Sequence, residues 1–290
     1  MMAYGYTRYL KENAKMIKYK WCVCDMDGTL LNSGGLISKE NEVALKKLMK
    51  LGLEVIIATG RVDLMVTPFI KQLGLVGPVI SCNGGLIRNI ETREVIYSKM
   101  MDKITVKDIV DHCIDFNIKY ILYTSEMVYY NENNPLGKKY ENLNKSLSKE
   151  AQLPMKYIDN KVLDNINDID TLKILLVCEN HEEVVLLEEF FLKYDDLTVV
   201  SSSSCLLDIM ASDISKGNAL EILSKELQVD LSEVIVFGDN YNDMEMLKCV
   251  GMPIAMENAV EDIKFQAKYI TKSNDESGIA YAINNYILKE

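Results

Sequence analysis

One repeated pattern limits what this chain can fold into: a short apolar run, a loop of Gly, Asp, Ser or Thr, then an amphipathic helix. The first run, WCVC at Trp21–Cys24, ends at DMDGT. A helix is predicted from a Ser38 N-cap to Gly52, with Ala44, Leu48 and Leu51 on one face. Further strands are predicted at Leu53–Ala58, Val79–Ser81 and Val234–Phe237, ending at TGR, CNGG and GDNYND. Strands alternating with helices imply right-handed βαβ units and a parallel sheet covered on both faces, an α/β fold. In such sheets ligands bind beyond the carboxyl ends of the strands, which is where the reactive side chains collect here.

Between Leu86 and about Ser212 strands recur, at Lys119–Tyr123, Val128–Tyr130, Lys173–Cys178 and Leu197–Ser202, without comparable loops. This stretch reads as a second domain inserted into the first. The expected division is an N-terminal extension at 1–18, a core at 19–85 and 213–290, and an inserted domain at 86–212. A chain of 290 residues is long enough for two domains. The extension is rich in Tyr and Lys and reads as a variable lead-in to the first core strand, with Met16 a candidate start.

The net charge of −11 argues against a nucleic-acid or anionic-membrane partner, and an anionic substrate would need a local positive patch. No apolar run approaches the roughly 20 residues of a membrane helix, and the N-terminus lacks a secretory pattern. Seven scattered cysteines, mostly within apolar runs, point to a reduced, cytoplasmic setting.

Cys22 and Cys24 alternate with Trp21, Val23 and Asp25, so the two thiols share one face of the strand. With no second ligand pair, they read as buried filler and not as a zinc or redox site. DMDGT is no EF-hand loop either, since Leu30 and Leu36 stand where that loop needs Gly and an acid. Asp25 and Asp27 at the end of a buried strand would repel each other unless a cation intervened. Mg²⁺ fits such hard oxygens, and Asp239 could supply a third. Lys216 opens the helix of SKGNALEIL against its dipole, which suits a phosphate bound at that helix end. Thr59 and Gly60 offer a hydroxyl and an unhindered N–H to phosphate oxygens. Arg61 could join them or form an ion pair.

DMDGT, ATGR, SKG and GDNYND, in this order, resemble the haloacid dehalogenase superfamily of phosphotransferases and its Cof-type branch. The resemblance runs from about Tyr19 to the end of the chain. It implies a Rossmann-like parallel-sheet core with an inserted α/β cap, and a phosphatase acting on small phosphate monoesters. On that resemblance Asp25 is the nucleophile and Asp27 the general acid and base. Mg²⁺ is held by Asp25, the Asp27 carbonyl and Asp239, with Asp243 orienting this shell from behind. Thr59, Gly60, Lys216 and Asn242 take the phosphoryl group. Asn83 and Gly84 are expected at a core–cap hinge, Asn83 as a turn former or a substrate contact. Tyr120, Tyr123, Tyr129 and Tyr130 could stack on a ring, although strand tyrosines more often pack. A sugar phosphomutase and a non-catalytic binding protein are the alternatives.

Overall fold

A computed structural model describes residues 18–289, apart from 146, 148, 150–151, 160–165 and 167. All but the last residue of the expected N-terminal extension, Met16 included, lies outside the described residues.

β1 (Trp21–Cys24) leads to α1 (Lys39–Lys50), β2 (Glu54–Ala58), α2 (Thr67–Leu73) and β3 (Pro78–Ser81). Ser38 caps α1 by accepting the Asn41 N–H, and Gly52 closes the turn beyond it with φ of 97°. The buried stripe of α1 is Asn41, Ala44, Leu45 and Leu48. Leu51, expected on that face, is instead the exposed C-cap, where helical phase has been lost.

β4 (Leu86–Asn89) and β5 (Val95–Ser98) follow, both antiparallel. The inserted region carries α3 (Lys103–Asp115), β6 (Lys119–Tyr123), β7 (Val128–Tyr130), α4 (Pro135–Lys145), β8 (Met155–Tyr157), β9 (Lys173–Val177), α5 (His181–Phe191), β10 (Leu197–Ser203) and β11 (Leu206–Ala211). The chain then returns through α6 (Lys216–Leu227), β12 (Val234–Gly238), α7 (Met244–Lys248), β13 (Met252–Ala255), α8 (Glu261–Gln266), β14 (Tyr269–Ile270) and α9 (Gly278–Ala282).

The core sheet has the order β14-β13-β12-β1-β2-β3-β4-β5, parallel from β14 to β3. Cys22 and Cys24 pack toward α1, α2 and α9, while Trp21 and Val23 pack toward α6, α7 and α8. The strand is therefore apolar on both faces, as a doubly covered sheet requires. The Cys22 and Cys24 sulfurs lie 4.0 Å apart. The Cys22 thiol and complete burial push the Cys24 thiol well above its ordinary range.

The cap sheet has the order β10-β11-β9-β6-β7-β8. One face, with Tyr120, Leu122, Ile174 and Leu176, packs on α3 and α5. The other, with Ile121, Tyr123, Tyr130 and Leu175, packs on Val62, Cys82 and Leu86 of the core. The four strand tyrosines thus divide between the two faces, Tyr120 and Tyr129 toward the helices. Strand alternation explains the division.

The boundary expected at residue 86 moves. β4 and β5 extend the core sheet, so the chain leaves the core after Ser98 and re-enters between Ala211 and Lys216. Lys99 ties the two crossings by donating to Ser212 O at 2.6 Å. Gly84 is accordingly no hinge. With φ of 105° it lets the chain pass the Ser215 carbonyl where a Cβ would collide. Among the described residues no helix is long and apolar enough to cross a membrane.

Candidate active site

β1 and β12 are neighbours, with Cys24 in register with Phe237. After β1 the chain continues to one side of the sheet, while β12 feeds the other, so the crevice beyond their ends is a topological switch point. Asp25 and Asp239 extend these two strands into it. Asp25 N donates to Phe237 O at 3.0 Å, carrying the ladder one residue further and fixing where the carboxylate begins.

The turn after Asp25 brings the two strand ends together. Gly28, at φ of 88°, sits where a Cβ would strike the Asp239 carboxylate. Thr29 then donates its hydroxyl to Asp239 Oδ1 at 2.6 Å. Asp243 turns back from the short helical turn after β12. Its Oδ2 accepts from Asp239 N at 2.9 Å and Asn240 N at 3.1 Å, which holds the Asp239 loop from behind.

Lys216 lies at the first position of α6, where Ser215 supplies the cap by accepting the Asn218 N–H. Its side chain is fully buried and reaches Asp25 Oδ1 at 2.5 Å and Asp243 Oδ1 at 2.7 Å. Burial disfavours the ammonium, but Asp243 and Asp25 more than offset this, and its pKa rises above the ordinary lysine value.

The carboxylates outnumber that cation. Ligand atoms of Asp25, Asp239 and Asp243 all fall within 4.8 Å of one another. Burial pushes Asp25 well above the carboxylate range, Lys216 opposes the shift, and Asp243 and Asp239 reinforce it. Asp239 is raised to about 6 by burial, against the Thr29 hydrogen bond. Buried hard oxygens that repel one another suit a divalent cation, so the acidic cluster fits a metal.

Asp27 points elsewhere. Its carboxylate is exposed and receives both arms of Arg61, Nε to Oδ2 at 2.8 Å and Nη2 to Oδ1 at 2.5 Å. Arg61 thus forms the ion pair that was one of its two expected roles. Thr59 is buried at the end of β2, and its Oγ1 accepts from Arg61 N at 3.1 Å. Asn83, at φ of 54°, accepts from Asn242 Nδ2 at 3.2 Å. Its own Nδ2 lies 3.9 Å from Met210 Sδ of the cap. The structure therefore gathers the strand-end residues singled out in the sequence around one crevice.

Two features escaped the sequence reading. Thr29, within DMDGT, is bonded to Asp239. The cap also sends Lys173 to the crevice. Its Nζ donates to Gly60 O at 2.9 Å and pairs with Asp208 Oδ1 at 2.9 Å. The signal available was Asp208 itself, a lone acid inside the apolar run LLDIM.

A parallel core with carboxylates at its switch point and a second sheet inserted as a cap defines a class of hydrolase architectures. Haloacid dehalogenase-like hydrolases match residues 22–283, and the chain belongs to this family, in its Cof-type phosphatase branch. Phosphatase YwpJ of Bacillus subtilis is 32% identical, over 92% of this chain and 100% of its own length. From the same organism, 5-amino-6-(5-phospho-D-ribitylamino)uracil phosphatase YwtE is 29% identical, over 92% of this chain and 98% of its own. A haloacid dehalogenase-like hydrolase from Bacteroides thetaiotaomicron superposes with a TM-score of 0.80 at 28% identity, covering 92% of this chain and 98% of that one.

Proposed function

We propose that the protein is a Mg²⁺-dependent phosphatase of small phosphate monoesters that works through an aspartyl-phosphate on Asp25. The observation that carries this reading is the placement of Asp25. It is a buried carboxylate at the end of the central strand, paired with a buried lysine and facing two further acids. A carboxylate in that position can be a nucleophile whose charge is held by fixed partners.

Asp25 attacks phosphorus, forming an O–P bond as the bond to the leaving alcohol breaks. Asp27 delivers a proton to that leaving oxygen. Water then attacks the aspartyl-phosphate, Asp27 takes its proton, and inorganic phosphate departs as Asp25 is restored. Both Asp27 oxygens accept from Arg61 in this structure, so each proton transfer requires that pair to open. Lys216 keeps Asp25 Oδ1 in place and brings positive charge to the phosphoryl oxygens. Thr59, Gly60 and Asn242 complete the cradle as donors. Asp25, the Asp27 carbonyl and Asp239 would hold Mg²⁺, with Asp243 steadying the Asp239 loop. When bound, the ion offsets the repulsion between carboxylate and phosphoryl oxygens. Positioning and charge are most of what phosphoryl transfer asks of a protein.

The name of the YwtE relative supports a phosphorylated polyol, sugar or similar metabolite as substrate. The seven free cysteines support a reducing, cytoplasmic setting.

Asp25→Asn tests the nucleophile. Turnover of p-nitrophenyl phosphate with Mg²⁺, followed by released inorganic phosphate, should fall on the order of 10⁴-fold. The Tm should stay close to wild type. A variant that still turns over substrate removes Asp25 from the chemistry.

A further inference from the structure

Two charged contacts from the cap land on one core loop, residues 59–63 after β2. Successive carbonyls of that loop have different owners. Thr59 O accepts from Asn83 N at 3.0 Å and Arg61 O from Cys82 N at 2.9 Å, both within the core. Gly60 O, between them, accepts from Lys173 Nζ on β9 of the cap. The second contact runs through Glu126, in the β6–β7 turn of the cap, which pairs with buried Arg88 Nη2 at 2.8 Å. Arg88 Nη1 in turn lies 3.3 Å from Asp63 Oδ2, at the far end of the loop.

The Gly60 contact has a directional effect. The Gly60 carbonyl and the Arg61 N–H belong to one planar trans peptide unit and point in opposite directions. Holding the carbonyl therefore aims the N–H, which donates to Thr59 Oγ1. A hydroxyl has one proton to give. With Arg61 N–H seated on its acceptor side, that proton is left for another acceptor. An ammonium on the carbonyl also polarises the peptide unit and strengthens the N–H as a donor.

We propose that Lys173 is a positioning residue through which the cap sets the phosphate loop. It locks the Gly60–Arg61 peptide so that Thr59 presents its hydroxyl proton to the phosphoryl group. Glu126 braces the same loop through Arg88 and Asp63. The proposal rests on the reading of Thr59 and Gly60 as phosphoryl ligands. Lys173 needs no contact with substrate, because its ammonium is already engaged by Asp208 and Gly60 O and lies 4.9 Å from the Tyr123 ring centroid. The cap then completes the catalytic geometry as well as covering it.

A double-mutant cycle on the full chain tests this, with p-nitrophenyl phosphate and Mg²⁺ and with Tm recorded for every variant. Its members are Thr59→Val, the paired change Lys173→Met with Asp208→Asn, and all three together. Neutralising both partners avoids stranding a buried charge. The paired variant should lose kcat on the order of tenfold at a near-wild-type Tm. Lys173→Arg should retain most of kcat. In the Thr59→Val background the paired change should cost little more, because Lys173 acts through that hydroxyl. Glu126→Gln, at an exposed site, should show a smaller loss of kcat. Wild-type kcat in the paired variant, or a loss that adds in full to that of Thr59→Val, overturns the proposal. Unchanged kcat in Glu126→Gln removes the second brace. If Thr59→Val itself keeps wild-type kinetics, the phosphate-cradle reading fails instead. If the paired variant melts below the assay temperature, Lys173→Gln with Asp208→Asn takes its place in the cycle and is judged by the same outcomes.

Discussion

Among the described residues, the core and the cap each bury one lysine against carboxylates, and the two centres differ in their charge count. In the core, Lys216 serves Asp25 and Asp243 while Asp239 stands within 4.8 Å of both. In the cap, Lys173 faces Asp208 alone and gives its remaining reach to a backbone carbonyl. The first centre is short of positive charge and the second is balanced. A deficit left inside a folded protein marks a place that another cation should fill. A neutral pair can instead hold two surfaces together without inviting a ligand. The ratio of acids to bases, more than burial or distance, separates the two roles.

The largest expected effect comes from deepening the deficit. Lys216→Met leaves three acids with no base and should destabilise the metal-free protein by about 3–5 kcal/mol, read from denaturant midpoints. Activity should be lost with it. A variant as stable as wild type would mean that the acids are already relieved by other means.

Filling the deficit is the second test. At Mg²⁺ a hundredfold above its Kd, the wild type should gain about 2.7 kcal/mol, seen as a rise in Tm. Asp239→Asn should show little of this rise, and a chelator should silence turnover. Identical melts with and without Mg²⁺ would place the cation elsewhere. For the balanced centre, the paired Lys173→Met and Asp208→Asn change should shift stability by about 1 kcal/mol or less. A collapse comparable to Lys216→Met would erase the distinction drawn above.

The smallest effect belongs to a surface cluster that serves as a reference. Glu42 on α1 is lowered to about 2 by hydrogen bonds from Lys46, Gln72 and Lys39. Because its folded pKa is depressed, its stabilisation is present above the ordinary value near 4.5 and is lost as pH falls through about 2. Glu42→Gln should therefore melt slightly below wild type at neutral pH, and the two curves should converge as pH approaches 2. Parallel curves throughout would show that the cluster contributes nothing through ionisation.

Much of the core was legible because parallel strands buried on both faces read as apolar runs, and their loops carry unusual polar residues. Val234–Phe237 and Leu53–Ala58 needed little more than that. The exit into the cap was misplaced because β4 and β5 are antiparallel additions to the sheet edge, and LIRN and VIYS do not announce which sheet they will join. Asp25, Asp239 and Lys216 could be picked out because each is the wrong residue type for a purely structural position. The Lys173–Gly60 contact was hidden, since it joins a cap side chain to a backbone carbonyl 113 residues away. Residue identity carries no sign of such a bond.

The pairing of β1 with β12 has a further consequence in time. Thr29 and Asp239 are 210 positions apart, and Lys216 and Asp25 are 191 apart. A ribosome making this chain releases Asp25 early and its partners late. Until β12 docks, Asp25 is an ordinary aspartate on an unpaired strand edge. Contacts of such long range are slow to form, so catalytic competence should be gained late, as a single event, when the C-terminal part of the core closes on the first strand.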